Sequence, residues 1–493
     1  MPAKITVGPL CEEPSGHAQA TKGRGGLSNT ALLLELSQQT QVDGKKCVQD
    51  IMMSDLVFDK ALTPADRIVL ETLADHIQNS QSSKDGKAKR RVSSTGCSAS
   101  SSDSEQMEDL SECNVQKLKA LNNPKSPDFE LSAFSGFELR DLKLPSYVDQ
   151  FLLQPYIAWA SSVVRVKTDV IMLTHLLIYA STSIPSALML FRSFTYFHGF
   201  LHLVMQLYYI GAYTLLMHQH IHMRGVLNKR FALIDAIFPY ILDPLMGHTW
   251  NTYYYHHVKH HHVEGNGPDD LSSTMRYQRD EIWDLLRYIG RFYVLVWFDL
   301  PLYFLRKGRP LMALKTFASE ASTYAFYYAA SRINARAALF VYILPLMLLR
   351  VGLMVGNWGQ HAFVDVEQPD SDYRSSITLI DVASNRYCYN DGYHTSHHLN
   401  PMRHWRDHPV SFLQQKETYA KEGALVFHNI DYVMITVRLM MKDYETLAKC
   451  LVPIGDQVHL SVQDRIDLLK RLTKRFSDDQ IREKYPQCFR VKT

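Results

Sequence analysis

The distribution of apolar and polar residues divides the chain sharply. Residues 1 to about 135 are polar and Ser-rich, whereas residues from about 170 to 360 are strongly apolar and aromatic. Within the apolar part, Val170–Phe191, Phe194–Met217, Tyr288–Leu305 and Ala337–Gly356 read as membrane spans. A bilayer core of about 30 Å needs roughly 20 predominantly apolar helical residues. Phe231–Gly247 is apolar but short and carries Pro239 and Pro244, so it suits an interfacial or re-entrant position. Leu311–Ala330 holds Lys315 and Glu320 and spans only if these face protein. The pattern predicts an all-α membrane protein with four to six transmembrane helices. An amphipathic stretch at 138–165 leads into it. The expected division is a mostly disordered extension over 1–135, a membrane domain over 136–453, and a charged helical tail over 454–493.

Two details refine the polar ends. Thr63-Pro64-Ala65-Asp66 places a cap, a first-turn proline and an acid where a helix begins, and Ile68, Leu70, Leu73, Ala74 and Ile77 supply an apolar stripe. Asn79 to Cys113 is dominated by Ser, Asp, Glu and Lys, a composition that buries too little apolar surface to offset ordering entropy, and disorder is expected there. In the tail, Val462, Ile466, Leu468, Leu469 and Leu472 recur at helical spacing.

Charge changes the picture little. The formal net charge is +3, which gives no reason to expect nucleic-acid binding. The first 30 residues contain no apolar run of signal-peptide length, so insertion relies on internal segments. Arg224, Lys229 and Arg230 follow the second span, and basic residues continue through the C-terminal part, which places both regions on the cytosolic side. The seven cysteines form no C-x-x-C pair, so neither a disulfide framework nor a cysteine zinc site is expected.

The histidines carry the chemistry. Of 22, 15 lie between His218 and His408, in spaced groups. His218 and His222 are four apart at the end of the second span and share a helix face; His220 points away. In His256-His257-Val258-Lys259-His260-His261-His262, helix geometry favours His257, His260 and His261, while His257, His261 and His262 form a second possible register. His394, His397 and His398 make a third group, and Asn357 with His361 a fourth at the end of the last span. Helices anchored side by side would gather roughly nine imidazoles at one membrane face. Neutral imidazole suits Fe, Zn, Cu and Ni. One tetrahedral zinc needs only four ligands, so this number implies two metals, in a cytosolic histidine-rich cap.

The order H-x3-H, then H-x2-HH or H-x3-HH, then H-x2-HH resembles the histidine boxes of the membrane fatty acid desaturase and alkane hydroxylase superfamily, over about residues 150–445. His261-His262-Val263 with Pro268, Asp270 and Ser273, and His398 with Pro401 and Arg403, are similar to boxes of the membrane alkane monooxygenases. That similarity favours His257, His261 and His262, leaving His260 as the alternative ligand. The resemblance implies a non-haem di-iron site held by His218, His222, His257, His261, His262, His361, His394, His397 and His398, with Asn357 acting through a water. O₂ would be the co-substrate. No His-Pro-Gly-Gly haem signature is present, so electrons are expected from a separate donor of cytochrome b5 or ferredoxin type.

Cleaving an unactivated C–H bond needs a strong oxidant, and two irons can share the electrons that O₂ cleavage requires. Carboxylates that orient ligating imidazoles through their other ring nitrogen are expected among Asp269, Asp270, Asp365 and Asp391. Trp250 and Tyr253-Tyr254-Tyr255 read as an interfacial belt or as channel lining. The expected reaction is desaturation of a fatty acyl chain, with hydroxylation of an acyl or alkane chain the alternative. The endoplasmic reticulum is the expected address. A His-rich metal transporter is the competing class; its ligands would lie near mid-membrane, not at span ends.

Overall fold

The structure, a computed structural model, describes residues 62–82, 103–136 and 138–489. The disorder expected over 1–61 and 83–102 lies outside the described residues.

Helix α1 is Pro64–Ser82 and α2 is Asp103–Asn122. The first is the helix the Thr63 cap predicts, and Asp66 N–H indeed donates to Thr63 Oγ1. The second begins ten residues before the expected disorder ends, which corrects that boundary. Its apolar residues Val115 and Leu118 join Val69, Leu70, Leu73 and Ile77 of α1 in one core with Ile380, Tyr393, Val410 and Phe412. Neither helix is very apolar, so tertiary burial supplies what local composition does not.

The membrane part follows. Exposed Tyr147, Phe151, Leu152 and Trp159 lie on the helical approach before it. Then come α3 (Val170–Arg192), α4 (Tyr196–Met223), α5 (Ala232–Leu245), α6 (Ile282–Arg306), α7 (Pro310–Ile333) and α8 (Leu344–Gln360). Four helical segments are long and apolar enough to cross a membrane: Lys167–Arg192, Tyr196–Met223, Ile282–Arg306 and Ala335–Gln360. These are the four firmer spans of the sequence pattern. Helix α5 has 14 residues, about 21 Å, which is too short to span, and it exposes Leu233, Ile234 and Tyr240. Helix α7 turns Glu320 inward to Arg350 on α8 at 2.8 Å, so its acid faces protein.

The remaining elements build a cap. It includes α9 (His394–Leu399), α10 (Tyr432–Met440), α11 (Val462–Leu472) and a small sheet of β1 (Ile377–Ile380), β2 (Leu425–His428) and β3 (Leu451–Val452). β1 pairs parallel with β2, and β2 antiparallel with β3, so the otherwise helical fold carries one minor sheet. The charged tail does not stand apart. Leu469 and Leu472 of α11 pack with Phe427, Ile435 and Leu447. Arg279, fully buried, donates to the carbonyls of Leu472 and Lys474 in the tail and to Thr274 and Ala362 beside the histidine groups. The planar fork of a guanidinium suits such multiple docking.

Candidate metal centre

Helix α4 continues unbroken through His222 and stops at Arg224, whose left-handed backbone (φ 56°) ends it. His218 and His222 therefore stack on one face. The second histidine run is π-helical over Tyr254–His261, and His262 N–H bonds back to His257 five residues earlier. The wider turn is the reason the α-helical register 257/260/261 fails. It puts His257 and His262 on one side, with Nε2 atoms 3.0 Å apart. His260 points elsewhere, with Nε2 3.2 Å from the Asp269 carbonyl.

Nine imidazoles gather in two groups. His218, His222, His257, His262 and His397 form one; His261, His361, His394 and His398 form the other. Adjacent residues on a helix diverge by about 100°. Each HH pair is therefore split: His261 and His398 serve the second group, His262 and His397 the first.

In the first group four Nε2 atoms close a ring: His218–His397 2.9 Å, His397–His262 2.8 Å, His262–His257 3.0 Å and His257–His218 2.8 Å. A neutral imidazole has one N–H and one acceptor nitrogen, so these four nitrogens can make at most two hydrogen bonds for four contacts. A central cation accepts all four lone pairs. Ligands at about 2.0 Å and about 90° stand about 2.8 Å apart, which is the observed spacing. His222 Nε2, buried and without a hydrogen-bond partner, supplies a fifth donor. In the second group His394 Nε2 lies 3.2 Å from His361 Nε2 and 3.1 Å from His398 Nε2. An all-nitrogen set of five and four fits two transition-metal ions and leaves coordination positions open.

The outer nitrogens are held in the manner typical of metal ligands. His261 Nδ1–H donates to Asp270 Oδ2 at 2.7 Å, and His361 Nδ1–H to the Ser375 carbonyl at 2.7 Å. His398 Nδ1 faces Asp372 Oδ1 at 3.5 Å. Burial, and then the neighbouring imidazoles, push His257, His262, His394 and His397 well below the ordinary histidine range, so these rings are neutral donors. Burial alone would raise the Asp270 carboxyl, but His261 and then His260 and His256 hold it below the usual carboxylate range.

Of the four expected carboxylates, Asp270 alone makes such a bond. Asp269 receives Lys307 Nζ at 2.8 Å, and Asp365 caps the turn at Glu367 and Gln368. Asp391 is half-buried, its carboxyl pushed up to about 7 by desolvation, and its backbone carbonyl accepts from Tyr432. Sequence reading missed Asp372 and Ser375, which have no motif of their own. Asn357 lies on the same cavity wall as His257, His261 and His394. Its amide nitrogen donates to the Ser272 carbonyl and the Tyr288 hydroxyl. His220 pairs with Asp235, away from both groups.

A cavity of about 490 Å³ reaches these histidines through walls that include Leu207, Ile210, Phe292, Leu349 and Met354. Tyr253 also lines it and packs at a tilt against His257, ring centres 5.2 Å apart, so this tyrosine belongs to the channel and not to an interfacial belt.

Apolar helices closed on one side by two polyhistidine groups, each able to hold a metal ion, define a class of integral membrane protein. Residues 194–429, a stretch that contains all nine clustered histidines, match the fatty acid desaturase family model. Over that stretch the chain is similar to the fatty acid desaturase family, and the match supports the desaturase/hydroxylase superfamily and an oxidoreductase of that type. No curated protein and no solved structure matches it.

Proposed function

We propose that the protein is an O₂-dependent di-iron desaturase of a fatty acyl chain, working in the endoplasmic reticulum membrane with its histidine cap in the cytosol. The observation that carries this reading is the position of the cavity: a largely apolar pocket ends on His218, His257, His261 and His394, one face of the two groups. A transporter site needs a path for the cation through the membrane; here the donors lie at span ends, where an alkyl chain meets them.

His218, His222, His257, His262 and His397 would hold one iron, and His261, His361, His394 and His398 the other. When bound, the irons supply the oxidising power that splits O₂ and removes hydrogen from an unactivated carbon. The chain's own residues do the rest. Asp270 and Ser375 fix the tautomers of His261 and His361, so that each presents a lone pair inward. Leu207, Ile210, Phe292 and Met354 exclude water and align the alkyl chain. Asn357, its amide nitrogen fixed by Ser272 and Tyr288, would act on the metal through a water, the role that the family resemblance implies. Electrons come from a separate cytochrome b5-type or ferredoxin-type donor, two for each O₂ reduced, with two protons.

The test is product analysis. Purified protein in lipid, with O₂, an electron-donor system and a panel of acyl-CoA and acyl-lipid substrates, is followed by mass spectrometry. A product that has lost two hydrogens supports desaturation. A product that has gained one oxygen assigns hydroxylation to the same site and contradicts the proposed reaction. Turnover of none of the panel, with iron present, contradicts the substrate class.

A further inference from the structure

The second histidine run carries two imidazoles that the paired centres do not use. His256 and His260 are four apart on the π-helical segment, displaced by one residue from His257 and His261. One donor atom from each, and one from Asp270, lie within 4.8 Å of one another. His260 and Asp270 are fully buried side chains. Phe292 closes one side, edge-on to His256 at 4.9 Å between ring centres, and Tyr303 the other, edge-on to His260 at 4.4 Å.

A purely structural role for these rings leaves two facts unexplained. His256 Nε2 and His260 Nδ1 are both buried and without a hydrogen-bond partner. Leaving buried polar atoms unpaired is costly, and native proteins rarely leave two side by side. His260 Nδ1 also lies 3.7 Å from Asp270 Oδ1. That is too far for a hydrogen bond, but it suits two ligands of one cation at about 2.1 Å subtending about 120°.

We propose that His256, His260 and Asp270 form a third cation site, for a divalent first-row transition metal, beside the two polyhistidine centres. Two histidines and one carboxylate are a donor set that such metals use, with further positions left to water. The surroundings are prepared for it. His260 Nε2 lies 3.2 Å from the Asp269 carbonyl and accepts from Leu271 N–H at 3.2 Å. With a cation on Nδ1, the ring proton sits on Nε2 and is donated to the Asp269 carbonyl, and Leu271 N–H gives up its acceptor. Asp270 already accepts from His261 through Oδ2 and from Ser272 N–H and Oγ–H through Oδ1. A carboxylate has about four lone-pair sites, and the serine hydroxyl can rotate away, so a place for the cation remains. Because Asp270 also holds His261, a cation here would fix the orientation of a ligand of the second centre. The third site is thus a support for the second run rather than a place where substrate reacts.

The site is tested by counting equivalents. Metal-free, full-length protein in detergent is titrated with Co²⁺, and ligand-field absorption is followed to saturation. The expected result is three equivalents for the wild type and two for His256→Ala/His260→Ala, with His256→Ala alone as a milder variant should the double substitution fold poorly. Saturation of the wild type at two equivalents, unchanged in His256→Ala, overturns the third site and leaves the paired centres standing. Saturation at one, abolished by His256→Ala but not by His397→Ala/His398→Ala, keeps this site and overturns the paired-centre reading on which its supporting role rests.

Discussion

Within an HH pair the two neighbours have different duties, and that is where single substitutions become informative. His262→Ala removes a donor from the first centre and His261→Ala from the second. Each is expected to lower iron content from about two towards one, measured by elemental analysis, whereas equal loss of both ions from either variant would contradict separate centres. Asp270→Asn keeps the side-chain shape but weakens the hold on His261. Changes of this kind typically cost 10–100-fold in metal affinity or activity. Turnover of Asp270→Asn should fall by about that factor, while Asp269→Asn, whose carboxylate meets Lys307, should stay near wild type. The nine clustered histidines were legible in the sequence because they recur at fixed spacings. Asp372 and Ser375 were not, because a carboxylate or a carbonyl that reaches a ring from another segment leaves no local pattern.

Elements decide what spacing alone leaves open. The α-helical register of the second run fails because Tyr254–His261 is wound as a π-helix, a form that no simple periodicity announces. Deleting Val258 should restore α-helical winding and scramble both centres. Membrane insertion should survive, with iron content near zero; full iron retention would show that the π-turn is dispensable. Helix α1 was read correctly from its cap. Its docking partner was invisible, since Ile380, Tyr393 and Phe412 lie some three hundred residues away. Asp66 on α1 is buried, accepts from Tyr393 O–H at 2.7 Å, and has its carboxyl pushed up to about 6 by burial. A carboxyl raised in the folded state contributes stability that is full below its unfolded value and is lost as pH rises through about 6. Docking of α1 should therefore weaken by about 1 kcal/mol between pH 5 and pH 8. Hydrogen exchange over 64–77, compared at each pH with Asp66→Asn, should show that difference, and a pH-independent difference would contradict it.

For the molecule as a whole, the four apolar spans and the cap were legible, and the ties between them were not. Glu320 and Arg350, both in apolar helices, meet at 2.8 Å on the cavity wall and receive Thr249 O–H at 2.7 Å. Removing one partner of a buried pair usually costs about 3–5 kcal/mol, because the other charge is left alone. Arg350→Met should lower the thermal midpoint in detergent markedly, and Glu320→Leu/Arg350→Met should recover much of it; equal losses would argue against an isolated pair. In sequence Glu320 counted against a span, and only the packing of α7 on α8 shows that Arg350 pairs with it.

The central claim is that nine histidines hold two irons. The most direct measurement is the metal content of detergent-purified protein expressed with iron, beside His397→Ala/His398→Ala, which removes one donor from each centre. About two irons per chain, lost in the variant, is the result expected. Zinc alone, or iron unchanged by the substitutions, would contradict the di-iron account and move metal transport to the front.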